Sequence, residues 1–370
     1  MLGAGLMHAL NARLPEIRFE GIGGNRMTAS GLESWYPMER LSVMGLVEVL
    51  RHLPELLRLR RDIRARWLAD PPDVFIGVDA PDFNLGLERE LRAAGVATVH
   101  YVSPTVWAWR PGRVKAIRAA VDLLLGIFPF EVEFLERHDV PVRYVGHPLA
   151  AEMPLEPDAA GARRALGLAV AEPVLAVLPG SRCGEVESLS EPFLQAANRC
   201  AAQVPGLRVV VPLASERTRQ AFERLRAAAA PELAVDVHLD ASRTALAAAD
   251  VVLTASGTAT LEGLLSKRPM VVGYKVHWLT YLLAKWLRLV KVEHVAMANL
   301  LAGERLAPEF IQRECTPEAL SQALLRFFRE PGEVKRVRQR YREVHEAMRR
   351  DTNAQAADAV VGLLRGRKAL

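Results

Sequence analysis

Two sets of short, near-continuously apolar runs, each alternating with longer segments of helical period, restrict this chain more than any other feature. The first set is 18–22, 73–78, 97–102, 123–127 and 142–145; the second is 174–178, 207–211, 234–238, 250–254 and 269–272. Runs of Val, Ile and Leu without polar alternation are buried on both faces, which is what a parallel sheet covered by helices on each side requires. One set lies on either side of a Pro-, Ala- and acid-rich stretch at 150–162, so the pattern predicts two α/β domains. The expected division is an N-terminal domain at 1–150, a C-terminal domain at 151–345 and a helical tail at 346–370. A length of 370 residues likewise exceeds what one hydrophobic core usually serves.

Several classes of protein fall away. Cys183, Cys200 and Cys315 are odd in number and widely spaced, which supports neither a disulfide framework nor a zinc site and points to a reduced, cytoplasmic compartment. The amino terminus lacks the pattern of a signal peptide and reads as a helix that begins abruptly. The longest apolar stretch, 278–290, is broken by Lys285 and Arg288 and is too short to span a bilayer. The net charge of +5 is a mild imbalance, and no nucleic-acid partner is expected from it.

Ligands of open parallel sheets bind beyond the carboxyl ends of the strands, so the loops there carry the candidates. Ser256, Gly257, Thr258, Ala259 and Thr260 open a helix straight after a buried strand, where backbone N–H groups and the helix dipole favour a phosphate. Glu262 follows within reach of the two hydroxyls of a ribose; the competing reading is a plain helix cap and a first-turn acid. Pro179, Gly180, Ser181 and Arg182, followed by Glu185 and Glu187, make a second strand-to-helix turn with a guanidinium suited to a diphosphate. The alternative there is a structural ion pair from Arg182 to Glu185 or Glu187. Neither an Asp-X-Asp motif nor a GXXXXGK[ST] loop occurs, so the pattern predicts a nucleoside diphosphate leaving a sugar, with no metal and no cofactor.

In the other domain Asp79 leaves a strand just before Pro81 and Asp82. It is the candidate general base for a sugar hydroxyl, with Asp82 as rival and an Asx turn as the non-catalytic reading. His100, Tyr101, Ser103, Trp107 and Trp109 follow the next strand, where aromatic faces either stack on sugars or pack in the core. Residues 43–66 form a basic amphipathic segment: Val49, Leu50, Leu53, Leu56 and Leu57 recur at helical spacing beside six Arg at 51–66. Pro54 predicts two short helices meeting there. Val47, Leu50, Leu53, Leu57, Arg58 and Arg61 are the candidate contacts with an anionic membrane surface, against packing of the stripe on its own sheet. Residues 275–288 repeat the theme with Tyr281, Lys285 and Arg288.

Taken together, GIGGNRM (21–27), VMGLVEVL (43–50), DVFIGVDAPDFN (73–84), HYVSPTVWAWR (100–110), VGHP (145–148), LPGSR (178–182), SGTATLE (256–262) and NLLAG (299–303) resemble the lipid A disaccharide synthase family over nearly the whole chain. The resemblance implies a GT-B glycosyltransferase fold, two Rossmann-like domains facing a cleft. It implies inverting transfer of 2,3-diacylglucosamine from UDP-2,3-diacylglucosamine to the 6-hydroxyl of 2,3-diacylglucosamine 1-phosphate (lipid X), giving a β-1',6-linked disaccharide and UDP. Asp79 and Arg182 then carry catalysis, Ser181, Glu187, Ser256, Gly257, Thr258, Glu262 and Asn299 bind substrate, and Asp82, Tyr101, Ser103 and Trp107 lie on the acceptor side. The implied location is the inner face of the cytoplasmic membrane, held peripherally. Family members open with a strand and a GExSGD-type loop directly before the residues matching LGAGL (2–6), so the resemblance also implies a sheet lacking its first strand and a poorly stable or inactive chain. The rival functions are a nucleotide-sugar epimerase, which needs no acceptor, and an inactive membrane-bound UDP-sugar binder. A dehydrogenase is disfavoured because GIGGN lacks GXGXXG spacing.

Overall fold

The computed structural model describes residues 1–38, 46–107, 111–275 and 294–368, with backbone alone for 46–53, 111 and 368. The chain forms two compact units, Met1–Ala151 with Arg350–Leu370, and Glu152–Arg349. All ten strands expected from the apolar runs are present within two residues of the expected ends. The last helix, Thr352–Lys368, returns to the first unit, where Ala356, Ala357 and Val360 are buried with Leu6 and Leu10 of the helix Leu2–Asn11.

The first unit contains β1 (Phe19–Gly23), β2 (Leu32–Pro37), β3 (Val74–Val78), β4 (Ala97–Tyr101), β5 (Leu123–Gly126) and β6 (Val142–Tyr144). They form two parallel sheets, β1-β2 and β3-β4-β5-β6. β2 was not evident from the sequence. Every residue of β4 is buried, and its polar Thr98 is satisfied by the Ala120 carbonyl at 2.9 Å. Among the described residues β1 is paired only with β2, and β3 only with β4. A cavity of about 970 Å³ is lined by both strands and by flanking helices, with Phe19, Val74, Ile76, Leu6, Leu10 and Leu364 on its walls.

The basic amphipathic segment is one helix, Leu46–Ala69, that runs through Pro54 rather than two that meet at it. A proline inside a helix costs about 3 kcal/mol, while each large apolar side chain buried returns about 1.5–3 kcal/mol. Leu59, Ile63 and Trp67, spaced four apart on the face turned to the unit, are buried against Phe75, Leu87 and Leu91, and this packing outweighs the defect.

The second unit holds β7 (Val174–Leu178), β8 (Arg208–Leu213), β9 (Val235–Leu239), β10 (Val251–Ala255), β11 (Met270–Tyr274) and β12 (Glu309–Ile311) in one parallel sheet of order β12-β11-β10-β7-β8-β9. β12 was also missed in the sequence. The strand order reverses direction between β7 and β10, which makes their shared carboxyl end the point where a doubly wound sheet opens a crevice. Open and closed strand edges differ in protection: the amides of β4, paired on both sides, are expected to exchange with deuterium at least about tenfold more slowly than those of β3 that face the cavity. Equal protection of β3 and β4 would contradict the open edge.

Candidate functional site

In the second unit β7 and β10 are direct neighbours, with Leu178 opposite Thr254. The turns that follow, Pro179–Arg182 and Ser256–Thr258, therefore leave the sheet side by side although far apart in sequence. The helix Thr258–Leu265 starts from Gly257, whose φ of 147° belongs to backbone that glycine alone adopts without strain, and no side chain caps it. Ser256 does not turn its hydroxyl onto that helix; Oγ donates to the Val295 carbonyl at 3.1 Å. Thr260 Oγ1 donates to the Gly257 carbonyl at 2.8 Å and accepts the Met297 N–H at 3.1 Å. Gly257 and Thr258 are exposed.

The neighbouring turn is closed by its own acid. Glu185 Oε2 accepts the N–H groups of Ser181 (3.0 Å) and Arg182 (3.3 Å). The Arg182 side chain is 69% exposed and lies 3.8 Å from Glu185 Oε1, an outlying ion pair of the kind worth at most about 1 kcal/mol. Ser181 and Glu187 are exposed. Glu262 accepts a hydrogen bond from Arg243 Nε at 3.3 Å. Tyr274, which ends β11 and which the sequence reading did not single out, feels the same charges: burial and the Glu185 carboxylate push its phenol up, and Arg182 opposes them. Asn299 is wholly buried, donating to the Ala307 carbonyl (2.7 Å) and Glu309 Oε1 (2.8 Å) and accepting the N–H groups of Leu306 (2.9 Å) and Ala307 (2.8 Å). Its amide is thus fully engaged by protein.

In the first unit Asp79 emerges, exposed, at the end of β3. It and Ala80 have φ of 54° and 43°, two successive non-glycine residues in left-handed backbone, a strained arrangement that surrounding structure has to hold. The Asp79 N–H donates to the Tyr101 carbonyl at 2.8 Å, and Asn84 Nδ2 donates to the Asp79 carbonyl at 2.8 Å. Asn84 braces this turn by that bond; the sequence reading passed over it, though it stands in the quoted string. Below the turn, Glu88 and His100 are fully buried and joined at 2.7 Å, with burial pushing the Glu88 carboxyl up against the opposing effect of the histidine. Gly77 makes room for them: a Cβ there would run into the Glu88 carboxyl and Asn84.

The other residues expected on the acceptor side occupy different depths. Asp82 is exposed and paired with Arg113. Tyr101 is completely buried among Leu6, Leu10 and Val99, and its hydroxyl has no hydrogen-bond partner among the described residues. Ser103 is buried and donates to the Pro104 carbonyl at 3.0 Å. Trp107 is half-buried and donates from Nε1 to Glu131 Oε1 at 3.2 Å. Its ring meets the edge of Phe130 at 4.7 Å, Phe130 stacks on Phe128 at 5.6 Å, and Phe128 stacks on His147 at 5.1 Å. An aromatic row therefore runs across the loops that follow β4, β5 and β6. Burial pushes the Glu131 carboxyl up to about 8 and the His147 imidazole down to about 4. Leu57, Arg58 and Arg61 are exposed, while the side chains of Val47, Leu50 and Leu53, and Trp109, Tyr281, Lys285 and Arg288 altogether, lie outside the described residues.

Glu131 holds its proton in the folded protein to about pH 8, whereas an unfolded chain releases it near the ordinary glutamate value. The unfolded state binds fewer protons between those limits, so stability falls as pH rises through the window. Glu131→Gln removes this loss, and chemical denaturation is expected to show its stability relative to the parent improving by about 1 kcal/mol or more between about pH 5 and about pH 8. A pH-independent difference would show the acid to be ionised in the folded state.

The sequence profile of the family described as Lipid-A-disaccharide synthetase matches residues 1–361. A Lipid-A-disaccharide synthase of Alkalilimnicola ehrlichii is 52% identical over 367 residues, covering 99% of this chain and 96% of the relative. One of Pseudomonas paraeruginosa is 53% identical over 367 residues, with the same 99% and 96% coverage. Among solved structures, UDP-GlcNAc 2-epimerase from Neisseria meningitidis bound to UDP-GlcNAc superposes with a TM-score of 0.58 at 11% identity, covering 99% of this chain and 96% of that one. Sucrose-phosphate synthase from Thermosynechococcus elongatus gives 0.54 at 15% identity, covering 91% and 81%. At these identities the likeness is one of fold.

Proposed function

Because the chain belongs to the lipid-A-disaccharide synthetase family, we propose that it joins two acylated glucosamines in a single inverting displacement. The protein is a glycosyltransferase of GT-B fold, and its product is the lipid A disaccharide. The donor is UDP-2,3-diacylglucosamine and the acceptor 2,3-diacylglucosamine 1-phosphate. The acceptor 6-hydroxyl oxygen attacks the anomeric carbon, the bond from that carbon to the diphosphate breaks, and UDP departs with the electron pair. Asp79 takes the hydroxyl proton. Charge that builds on the departing diphosphate is met by Arg182 and by the uncapped amino end of the helix Thr258–Leu265.

The observation that carries this reading is the pairing of β7 with β10, which brings the Arg182 turn and the Ser256–Thr258 turn out side by side. Ser181, Gly257 and Thr258 line the diphosphate side by their position on these turns, Glu187 follows one turn into the adjoining helix, and Glu262 is placed for the ribose. Asn299 serves from within, as a buried brace. Asp82, Ser103 and Trp107 frame the acceptor, with Tyr101 supporting the Asp79 turn through its backbone carbonyl. Epimerisation rests on a shared fold alone, and an inactive binder has no observation of its own. Asp79→Asn is expected to lower turnover by about 10²- to 10⁴-fold while leaving UDP affinity unchanged, and Arg182→Ala to weaken both. Full turnover by Asp79→Asn would remove that residue from the proton transfer.

The acylated substrates reside in a lipid surface, and the helix Leu46–Ala69 is the part of the chain we assign to meet it. Arg64 pairs with Glu90 and Arg66 lies over the Trp35 ring, so those cations are engaged within the unit. Leu57, Arg58 and Arg61 point outward. No helix among the described residues is long and apolar enough to cross a membrane. Each cation near an anionic leaflet contributes about 1 kcal/mol, so the double charge reversal Arg58→Glu with Arg61→Glu should reduce binding to phosphatidylglycerol vesicles by at least about tenfold, read by co-sedimentation. Undiminished binding would assign the contact elsewhere.

A further inference from the structure

Glu309, on the short edge strand β12, is only 8% exposed, and its carboxylate collects N–H donors rather than a cation among the described residues. Val295 N–H reaches Oε2 at 3.0 Å, Ala296 N–H reaches Oε1 at 2.9 Å, and Asn299 Nδ2 reaches Oε1 at 2.8 Å. All three donors belong to one short stretch, 295–299, which enters the helix Met297–Ala302. That stretch then touches the nucleotide turn twice: the Val295 carbonyl takes the Ser256 hydroxyl at 3.1 Å, and the Met297 N–H goes to Thr260 Oγ1 at 3.1 Å. The acid is thus tied to the start of the helix Thr258–Leu265 through two parallel routes.

A serine at a helix entrance ordinarily turns its oxygen onto the helix N–H groups. Here the Val295 carbonyl draws the Ser256 hydroxyl away, and it can do so only while residues 295–297 are held in place. We propose that Glu309 is a positioning residue of the nucleotide site: by fixing 295–297 it keeps the Ser256 hydroxyl off the first amides of the helix, which stay available to the diphosphate. The inference rests on the placement of the diphosphate proposed above. Loss of one carboxylate oxygen leaves the Val295 or Ala296 N–H without its acceptor, and an unsatisfied buried donor shifts the stretch that carries it.

The test uses the full chain with Glu309→Gln, Ser256→Ala, the two combined, and Arg182→Ala, reading UDP affinity by calorimetry, KM and kcat for donor and acceptor, and thermal stability. Glu309→Gln is expected to weaken UDP binding about tenfold, the effect of one strong hydrogen bond, and to raise KM for the donor with KM for the acceptor unchanged. In the Ser256→Ala background the same change is expected to cost little, because the hydroxyl that would move onto the amides is gone. Glu309→Gln that melts earlier but binds UDP normally, while Arg182→Ala does not, overturns the inference alone, as does simple additivity with Ser256→Ala. UDP affinity unchanged in Arg182→Ala overturns the placement of the diphosphate and the inference with it. Glu309→Gln keeps the side-chain volume, so the test stands even where Glu309→Ala fails to fold.

Discussion

Each strand here runs parallel to its neighbours, and a parallel strand can be followed by the next only after the chain has crossed back over the sheet. That requirement puts helices on the sheet faces, hides the strands from water and sends their carboxyl ends out along one edge in each unit. It also explains how residues remote in sequence come to act together. β7 and β10 are separated by two strands and their connecting helices, yet they pair, and the doubly wound order of the sheet makes their ends the point where such a sheet opens a crevice. In the first unit the same logic lines up Asp79, the Trp107 loop and the Phe128–His147 row on the ends of successive strands.

Buried ionisable groups show how strongly surroundings decide chemistry in this molecule. Glu309 collects three N–H donors, Glu131 is driven toward the neutral acid by burial that Trp107 only partly offsets, and Glu88 shares its burial with His100. Lys267 is handled the same way: its ammonium donates to the Pro154 and Leu265 carbonyls and meets His345 Nδ1, and burial still pulls it down to about 8. One residue type is a brace, a held proton or half of a pair according to which donors the fold delivers to it.

The strands were legible because their apolar runs exist to be covered, and covering leaves a compositional trace. β2 and β12 left none. β2 has a single buried residue, Leu32, followed only by exposed and half-buried ones, and β12 is three residues long with a glutamate among them. Pro54 misled for a related reason: local preference argues for a break, and the packing of Leu59, Ile63 and Trp67 that overrides it is tertiary. The turns carrying Asp79, Arg182 and Ser256 could be read from strand ends followed by Gly, Pro, Ser and Asp. The parts that hold those turns could not. Asn84, Tyr274 and Glu309 look like any surface amide, strand residue or acid until three dimensions show what they touch. The return of the helix Thr352–Lys368 to the first unit is equally silent in a linear reading, since nothing in its own sequence names the surface it covers.

Among the described residues the edges of β1 and β3 that face the cavity carry no strand partner, which also bears on the behaviour of the protein in concentrated solution. An unpaired strand edge is a template that any passing extended segment can extend, and the apolar walls beside it reward the match. The charged residues around that lane, among them Arg18, Glu20, Asp73 and Arg365, act as gatekeepers: a stray strand must strip water from them before it can dock. Handling conditions that screen or neutralise those charges would lower that barrier, so self-association of this chain should be governed by salt and acidity more than by heat.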